Sequence, residues 1–260
     1  MEQVISKDGT RIAYERTGSG PPLILVDGAF CSRAFGPSSA LAPLLSRRFT
    51  VIRYDRRGRN ESGDTAPYAK ERELEDLEAL IAATGDRPAL VGLSSGAGLA
   101  LEAAAGLPIR AVVAWEPPYV EPAGSTAGRR HDERIQELLR DGRRGAAVAY
   151  FMHDMVDAPM PVVWMMRLMP WIWRKLTAVA HTLPYDVAVM GDFTAPTERF
   201  SRISVPAWVG FGGKTVDKIK SAARVIAEAI PGAQLRELAG QNHAVRPAAL
   251  TSMVEEFLAA

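Results

Sequence analysis

The sequence has 260 residues, about the length of one large α/β domain, and its 47% hydrophobic and 23% charged residues are typical of a soluble globular chain. Lys and Arg number 31 against 30 Asp and Glu, so the net charge of +1 argues against nucleic acid as a partner. A single cysteine, Cys31, excludes an internal disulfide and a cysteine-cluster metal site.

The first ten residues mix charged side chains with short apolar pieces, which is not the pattern of a secretory signal. No later stretch reaches the run of about 18 apolar residues that a membrane-spanning helix requires. We therefore expect a cytoplasmic protein without a membrane span. No motif predicts its oligomeric state.

The chain opens with strand patterns. Val4–Ser6 and Arg11–Arg16 flank an Asp8-Gly9 pair, which supplies the positive φ of a tight hairpin turn. Pro22–Val26 and Thr50–Tyr54 are continuous apolar runs, as in strands buried on both faces. They are predicted to be central strands.

Helical and strand patterns then alternate. Helices are predicted over Glu71–Ala83, Ser95–Ala105, Lys218–Ala229 and Pro247–Leu258, and strands over Ala89–Leu93, Arg110–Trp115, Ala207–Phe211 and Gln234–Leu238. This alternation predicts an α/β fold with a mostly parallel central sheet flanked by helices.

The alternation stops between Glu121 and about Ser201, where helical patterns occur without strand signals. We therefore predict a core formed by residues 1–120 and 202–260 and a helical insertion, or cap, at 121–201.

The most specific motif is Gly92–Gly96, with the sequence G-L-S-S-G, directly after a predicted strand and directly before a predicted helix. In this context G-x-S-x-G forms a nucleophile elbow that exposes the serine hydroxyl, here that of Ser94, above the sheet edge. Side chains at positions 92 and 96 would collide where the chain reverses direction.

With this motif the whole chain resembles the α/β-hydrolase family. Other matching segments are Val26–Ala29 at the end of a strand, Tyr54–Arg59 after the next one, and Gly240–His243 near the C-terminus. The resemblance implies the family fold, a catalytic serine, acid and histidine in that chain order, and a helical cap over the site.

The resemblance assigns the general base to His243, which follows the last strand. The other three histidines, His131, His153 and His181, lie in the insertion and are interpreted as surface or packing residues.

The resemblance also places an oxyanion hole at the backbone N–H groups of Ala29 and Ser95. Asp27 stands where the family usually has a histidine; we interpret it as a turn residue that binds nearby backbone N–H groups. Cys31 is interpreted as a packing residue rather than a second nucleophile.

The acid departs from the usual pattern, because Thr215 occupies the slot where the family usually has an aspartate. Some family members take the acid from the strand before the cap, and Glu116 lies at that place. We therefore predict Glu116 as the acid. Two alternatives stay open: Glu116 anchors the turn into the cap, or Asp217 is the acid.

A serine nucleophile argues against dehalogenase or epoxide-hydrolase chemistry, which requires a carboxylate nucleophile. The expected activity is hydrolysis of an ester, thioester or lactone of a small-molecule substrate, with no cofactor and no metal motif. Two alternatives remain: non-hydrolytic use of the same triad, or a catalytically degenerate homologue that only binds a ligand.

Residues 151–190 hold seven of the nine Met and three of the five Trp. Packing explains most of them, but such side chains also suit a pocket that adapts to apolar substrates. Trp164, Met165 and Met169 are the predicted substrate contacts.

Overall fold

The computed structural model describes residues 2–259, which are built around an eight-stranded sheet. The strands are β1 (Glu2–Ile5), β2 (Arg11–Thr17), β3 (Pro22–Val26), β4 (Thr50–Tyr54), β5 (Ala89–Leu93), β6 (Ala111–Trp115), β7 (Ala207–Gly212) and β8 (Gln234–Leu238). Their spatial order is β1-β2-β4-β3-β5-β6-β7-β8. β2 alone runs in the direction opposite to the other seven strands, so the predicted mostly parallel sheet is confirmed.

Eleven α-helices lie within residues 2–259. They are α1 (Ser38–Leu45), α2 (Lys70–Thr84), α3 (Ser95–Ala104), α4 (Ala127–Arg140), α5 (Arg144–Tyr150), α6 (Met160–Leu168), α7 (Pro170–Ala178), α8 (Leu183–Met190), α9 (Thr197–Phe200), α10 (Asp217–Ala229) and α11 (Pro247–Ala259). A π-helical turn (Phe151–Met155) follows α5, and a 3-10 turn (Ala180–Thr182) precedes α8. None of the helices in this part of the chain is both long and apolar enough to cross a bilayer.

The core lies on both faces of the sheet because successive strand residues point to opposite sides. Ile24 and Leu90 face one side, where α2, α3 and α10 cover them. Leu25 and Val91 face the other side, against α1 and α11. Each such fully buried side chain contributes about 1.5–3 kcal/mol of transfer free energy. The apolar residues of the central strands are therefore buried on both faces of the sheet.

Helix α1 was not expected from the sequence. Its eight residues contain Pro43, which lacks a backbone donor and normally interrupts a helix. The helix nevertheless forms, because Leu41, Ala42 and Leu45 are buried against the sheet. Tertiary burial thus overrides the local signal.

The chain between β6 and β7 is helical, from α4 to α9. Much of it packs around its own apolar cluster, which includes Ile135, Val148, Phe151 and Leu176 and also takes in Phe30 from the loop after β3. The Phe30 and Phe151 rings meet edge to face, with centroids 5.1 Å apart. These helices are thereby held against the loop at the carboxyl end of β3.

Candidate active site

Ser94 occupies a strained turn between β5 and α3. Its backbone has φ 56° and ψ −128°, a conformation that L residues rarely adopt. A Cβ at position 96 would lie 2.2 Å from the Val26 carbonyl oxygen, and one at position 92 would lie 2.4 Å from the Gly96 carbonyl oxygen. The two glycines therefore allow the chain to reverse tightly, and Ser94 stays only partly buried at the carboxyl end of β5.

His243 and Glu116 form a hydrogen-bonded pair at the same carboxyl end of the sheet. The Nδ1 of His243 lies 2.7 Å from Oε2 of Glu116. Glu116 is fully buried at the end of β6, whereas the His243 side chain is 47% exposed. Trp115 Nε1 donates to the His243 carbonyl oxygen over 3.3 Å, which links the histidine loop to β6. A buried carboxylate thus fixes one ring nitrogen and leaves the other available.

The other Glu116 oxygen is fixed by the end of β7. Oε1 accepts hydrogen bonds from the Gly212 backbone N–H at 2.8 Å and from the Thr215 hydroxyl at 2.6 Å. Thr215, in the position where the resemblance led us to look for an acid, is therefore a donor that holds the neighbouring strand's carboxylate. These bonds satisfy the charge of a group that would be costly to bury alone.

Asp217, the alternative acid, lies at the first residue of α10 with its side chain fully exposed. Within residues 2–259, its only cationic neighbour within 4.0 Å is Lys220, at 3.8 Å. The structure does not bring this carboxylate to His243.

The loop after β3 lies directly against Ser94. A Cβ at Gly28 would be 3.0 Å from the Ser94 Cβ, so a larger residue there would crowd the serine. The next residue is Ala29, and Ser95 is the first residue of α3. Neither of these two backbone N–H groups donates a hydrogen bond to any group within the described part of the chain. Two free donors therefore flank the serine.

A buried charged network that the sequence did not predict supports this arrangement. Asp186 of α8 accepts hydrogen bonds from the Ser95 hydroxyl at 2.8 Å, from Arg56 at 2.6 Å and from Arg59 at 2.7 Å. Burial would raise the pKa of the Asp186 carboxyl, but the guanidinium groups of Arg59 and Arg56 bring it below its usual range. Asp186 is therefore ionised and ties α8 to the elbow.

Arg59 extends this network to the loop after β3. Its Nη1 donates to the Gly28 carbonyl oxygen at 2.7 Å. That carbonyl belongs to the same planar peptide unit as the Ala29 N–H, so the hydrogen bond fixes the direction of this donor. Arg59 and Asp186 thus join the loop after β3 to the turn that carries Ser94. The one sequence signal for this network is that Asp186 is an isolated acid in an apolar stretch. The sequence does not identify its partners, because they are 91 to 130 residues away.

Asp27 is buried and accepts a hydrogen bond from the Ser38 backbone N–H over 3.3 Å, as a turn residue would. Burial raises its pKa to about 6. A carboxyl whose pKa is higher in the folded than in the unfolded state destabilises the fold increasingly as pH rises from about 4 to 6.

We expect Asp27→Asn to remove this pH-dependent cost, since the amide oxygen can still accept the Ser38 hydrogen bond. Relative to the parent, the variant should gain about 2–3 kcal/mol in free energy of unfolding between pH 4 and pH 7. Urea denaturation at several pH values measures this difference. Asp86→Asn, at an exposed position, is the control. An equal pH response in parent and variant would contradict the account.

Cys31 is partly buried, and burial raises the pKa of its thiol. A protonated thiol is a poor nucleophile, which agrees with a packing role. The three histidines of the inserted helices also lie apart from the Glu116 pair. His131 Nδ1 is 2.8 Å from the Tyr150 hydroxyl, His153 Nδ1 is 3.0 Å from the Ala158 carbonyl oxygen, and His181 is partly buried.

Two of the three predicted substrate contacts are largely exposed. Trp164 and Met165 are 66% and 54% exposed, and Met169 is the residue that joins α6 to α7. The methionines that pack in the cluster around Phe30 are different ones, Met152, Met155 and Met166. Composition alone does not show which side of a helix is buried, so it could not distinguish these methionines from the exposed ones. No group of three or more His, Cys, Asp or Glu within residues 2–259 is arranged to hold a metal ion.

Comparison with known proteins agrees with the fold. Residues 18–260 match the model of the alpha/beta hydrolase family. An alpha/beta hydrolase from Sphaerobacter thermophilus is 49% identical over 99% of this chain and 100% of its own, with a TM-score of 0.92. A hydrolase from Pseudomonas aeruginosa is 26% identical over 100% of this chain and 98% of its own, with a TM-score of 0.77.

The enol-lactonase from Burkholderia xenovorans shares the fold, with a TM-score of 0.75 and 22% identity over 100% of both chains. The chain belongs to the alpha/beta hydrolase family, as its motifs predicted.

Proposed function

We propose that this protein is a serine hydrolase that cleaves an ester, thioester or lactone of a small, largely apolar substrate through an acyl-enzyme on Ser94. The observation that carries the proposal is the hydrogen bond between the buried Glu116 carboxylate and His243 Nδ1, at the sheet edge where Ser94 occupies its strained turn. The degenerate-homologue alternative loses its main support, because Thr215 no longer implies a missing acid.

In the first half of the reaction, His243 Nε2 accepts the Ser94 hydroxyl proton while Oγ forms a bond to the substrate carbonyl carbon. The negative charge that develops on the carbonyl oxygen is stabilised by the Ala29 and Ser95 N–H groups. Glu116 stabilises the imidazolium through Nδ1. His243 then gives the proton to the leaving group as its bond to the acyl carbon breaks.

In the second half, a water molecule takes the place of the leaving group. His243 removes its proton, the oxygen bonds to the acyl carbon, and the ester bond to Ser94 breaks as the proton passes to Oγ. The acid product leaves, and the serine is regenerated without a cofactor.

We further propose that residues 121–201 form the cap of this site. Phe30 of the loop after β3 and side chains of the same apolar cluster, among them Phe151 and Met166, are the best candidates for substrate contacts. They replace Trp164, Met165 and Met169 in that role. A lining of aromatic and methionine side chains favours apolar acyl groups.

We expect kcat/KM to rise from acetyl to octanoyl p-nitrophenyl esters. Each methylene buried in the transition state contributes about 0.8 kcal/mol, or about fourfold. The double variant Trp164→Ser/Met165→Ser should keep the same trend, since both side chains are exposed. A flat or falling trend in the parent would assign the apolar cluster to packing alone.

A further inference from the structure

The hairpin formed by α6 and α7 carries a large apolar surface. Seven of the eleven exposed large hydrophobic side chains in residues 2–259 fall within residues 156–171. Four of them lie at or near the corner that joins the two helices: Trp164, Met165, Leu168 and Trp171, with exposures of 66%, 54%, 82% and 61%. We call these four the hairpin face. Such clustering marks an interaction surface rather than ordinary scattered exposure.

The charges from α6 to the start of α8 have one sign, whereas the exposed Asp154 and Asp157 lie just before α6 and Asp157 pairs with Lys218. Residues 158–185 contain no Asp or Glu but do contain Arg167, Arg174 and Lys175. Both arginines are exposed. Lys175 lies over the Phe35 ring, 5.2 Å from its centroid. The near-zero charge of the whole chain therefore conceals a local cationic surface.

Exposed apolar side chains together with positive charges favour an anionic lipid surface over a second copy of this chain as the partner. Two copies joined through the hairpin face would bring like charges together without an acidic side chain from the segment to compensate. An anionic lipid surface offers phosphate groups to the arginines and an apolar boundary to the tryptophans and leucine. Tryptophan is favoured at such boundaries because its ring is apolar and its N–H is polar.

We propose that the hairpin face docks on the surface of an anionic lipid bilayer. Trp164, Leu168 and Trp171 enter the boundary between headgroups and acyl chains, while Arg167 and Arg174 bind lipid phosphates. The opposite side of the hairpin, through Met166 and Leu176, packs in the cluster that contains Phe30. Helix α7 also contacts the loop after β3, since Lys175 lies over the Phe35 ring. Docking itself does not depend on the proposed hydrolysis.

The test is cosedimentation of the full chain carrying Ser94→Ala with vesicles of phosphatidylcholine alone or mixed with phosphatidylglycerol. We expect binding to the mixed vesicles that weakens as salt rises. Arg167→Gln and Arg174→Gln should each weaken it about fivefold. Trp164→Ser/Leu168→Ser/Trp171→Ser should weaken it at least about tenfold.

The matched control is Ile5→Ser/Val225→Ser/Leu235→Ser, which removes exposed apolar side chains outside the hairpin and should bind like the parent. Circular dichroism checks that every variant is folded. The proposal is overturned by absence of binding to mixed vesicles, by equal binding to phosphatidylcholine alone, or by equal loss in the control. A dimer in light scattering that the hairpin variant abolishes, without vesicle binding, would assign the face to a second copy.

Discussion

Ser94→Ala is expected to abolish ester hydrolysis, with a loss in kcat of up to about 10⁶-fold, because triad residues act as a unit. The replacement removes the oxygen that would bond to the acyl carbon but keeps a Cβ at the same positive φ, so it adds no backbone strain. Hydrolysis of a p-nitrophenyl ester by purified, folded variant measures the loss.

Cys31→Ala is the matched control for this prediction, since Cys31 is the nearby alternative nucleophile in the sequence. It should keep activity within a few-fold of the parent, because burial keeps its thiol protonated. If Ser94→Ala retains a tenth of the parent activity, Ser94 is not the nucleophile.

The second large effect is expected from Glu116→Gln. The glutamine oxygen can still accept from Gly212 and Thr215, which leaves its NH₂ group to face His243 Nδ1. The imidazole then carries its proton on Nε2 and cannot accept the Ser94 proton. By analogy with other triads, kcat should fall about 10⁴-fold.

Asp217→Asn is the control and should be nearly silent. A rescue sharpens the test, because the Thr215 hydroxyl lies 2.6 Å from Glu116 Oε1. Thr215→Asp should restore part of the activity lost in Glu116→Ala by supplying a carboxylate from the neighbouring strand. A larger loss in Asp217→Asn than in Glu116→Gln would move the acid to Asp217.

Much of the central sheet could be predicted because its strands are buried on both faces. The bounds predicted for β3, β4 and β5 are those of the structure, as are those of the more exposed edge strand β8. Helix α1 escaped prediction, since Pro43 conceals a helix that tertiary packing stabilises. Local sequence patterns thus predict an element where its burial and its intrinsic secondary-structure propensity agree.

The candidate site was only partly accessible to the same reasoning. Glu116 could be proposed from its position after a strand, but its bond to His243 spans 127 residues and needed the structure. The Asp186 network was missed because no local pattern links α8 to Arg56 and Arg59. Trp164 and Met165 were predicted as substrate contacts from composition, which gives no information about which side of a helix is buried. Both side chains are exposed.

The central claim is a covalent intermediate on Ser94 that depends on His243 and Glu116. Its most direct test is labelling with a fluorophosphonate, followed by mass spectrometry of the digested protein. We expect rapid labelling with one adduct on the peptide that contains Ser94, much slower labelling in Glu116→Gln, and none in Ser94→Ala. An adduct on another residue, or parent labelling as slow as that of Ser94→Ala, would contradict the account.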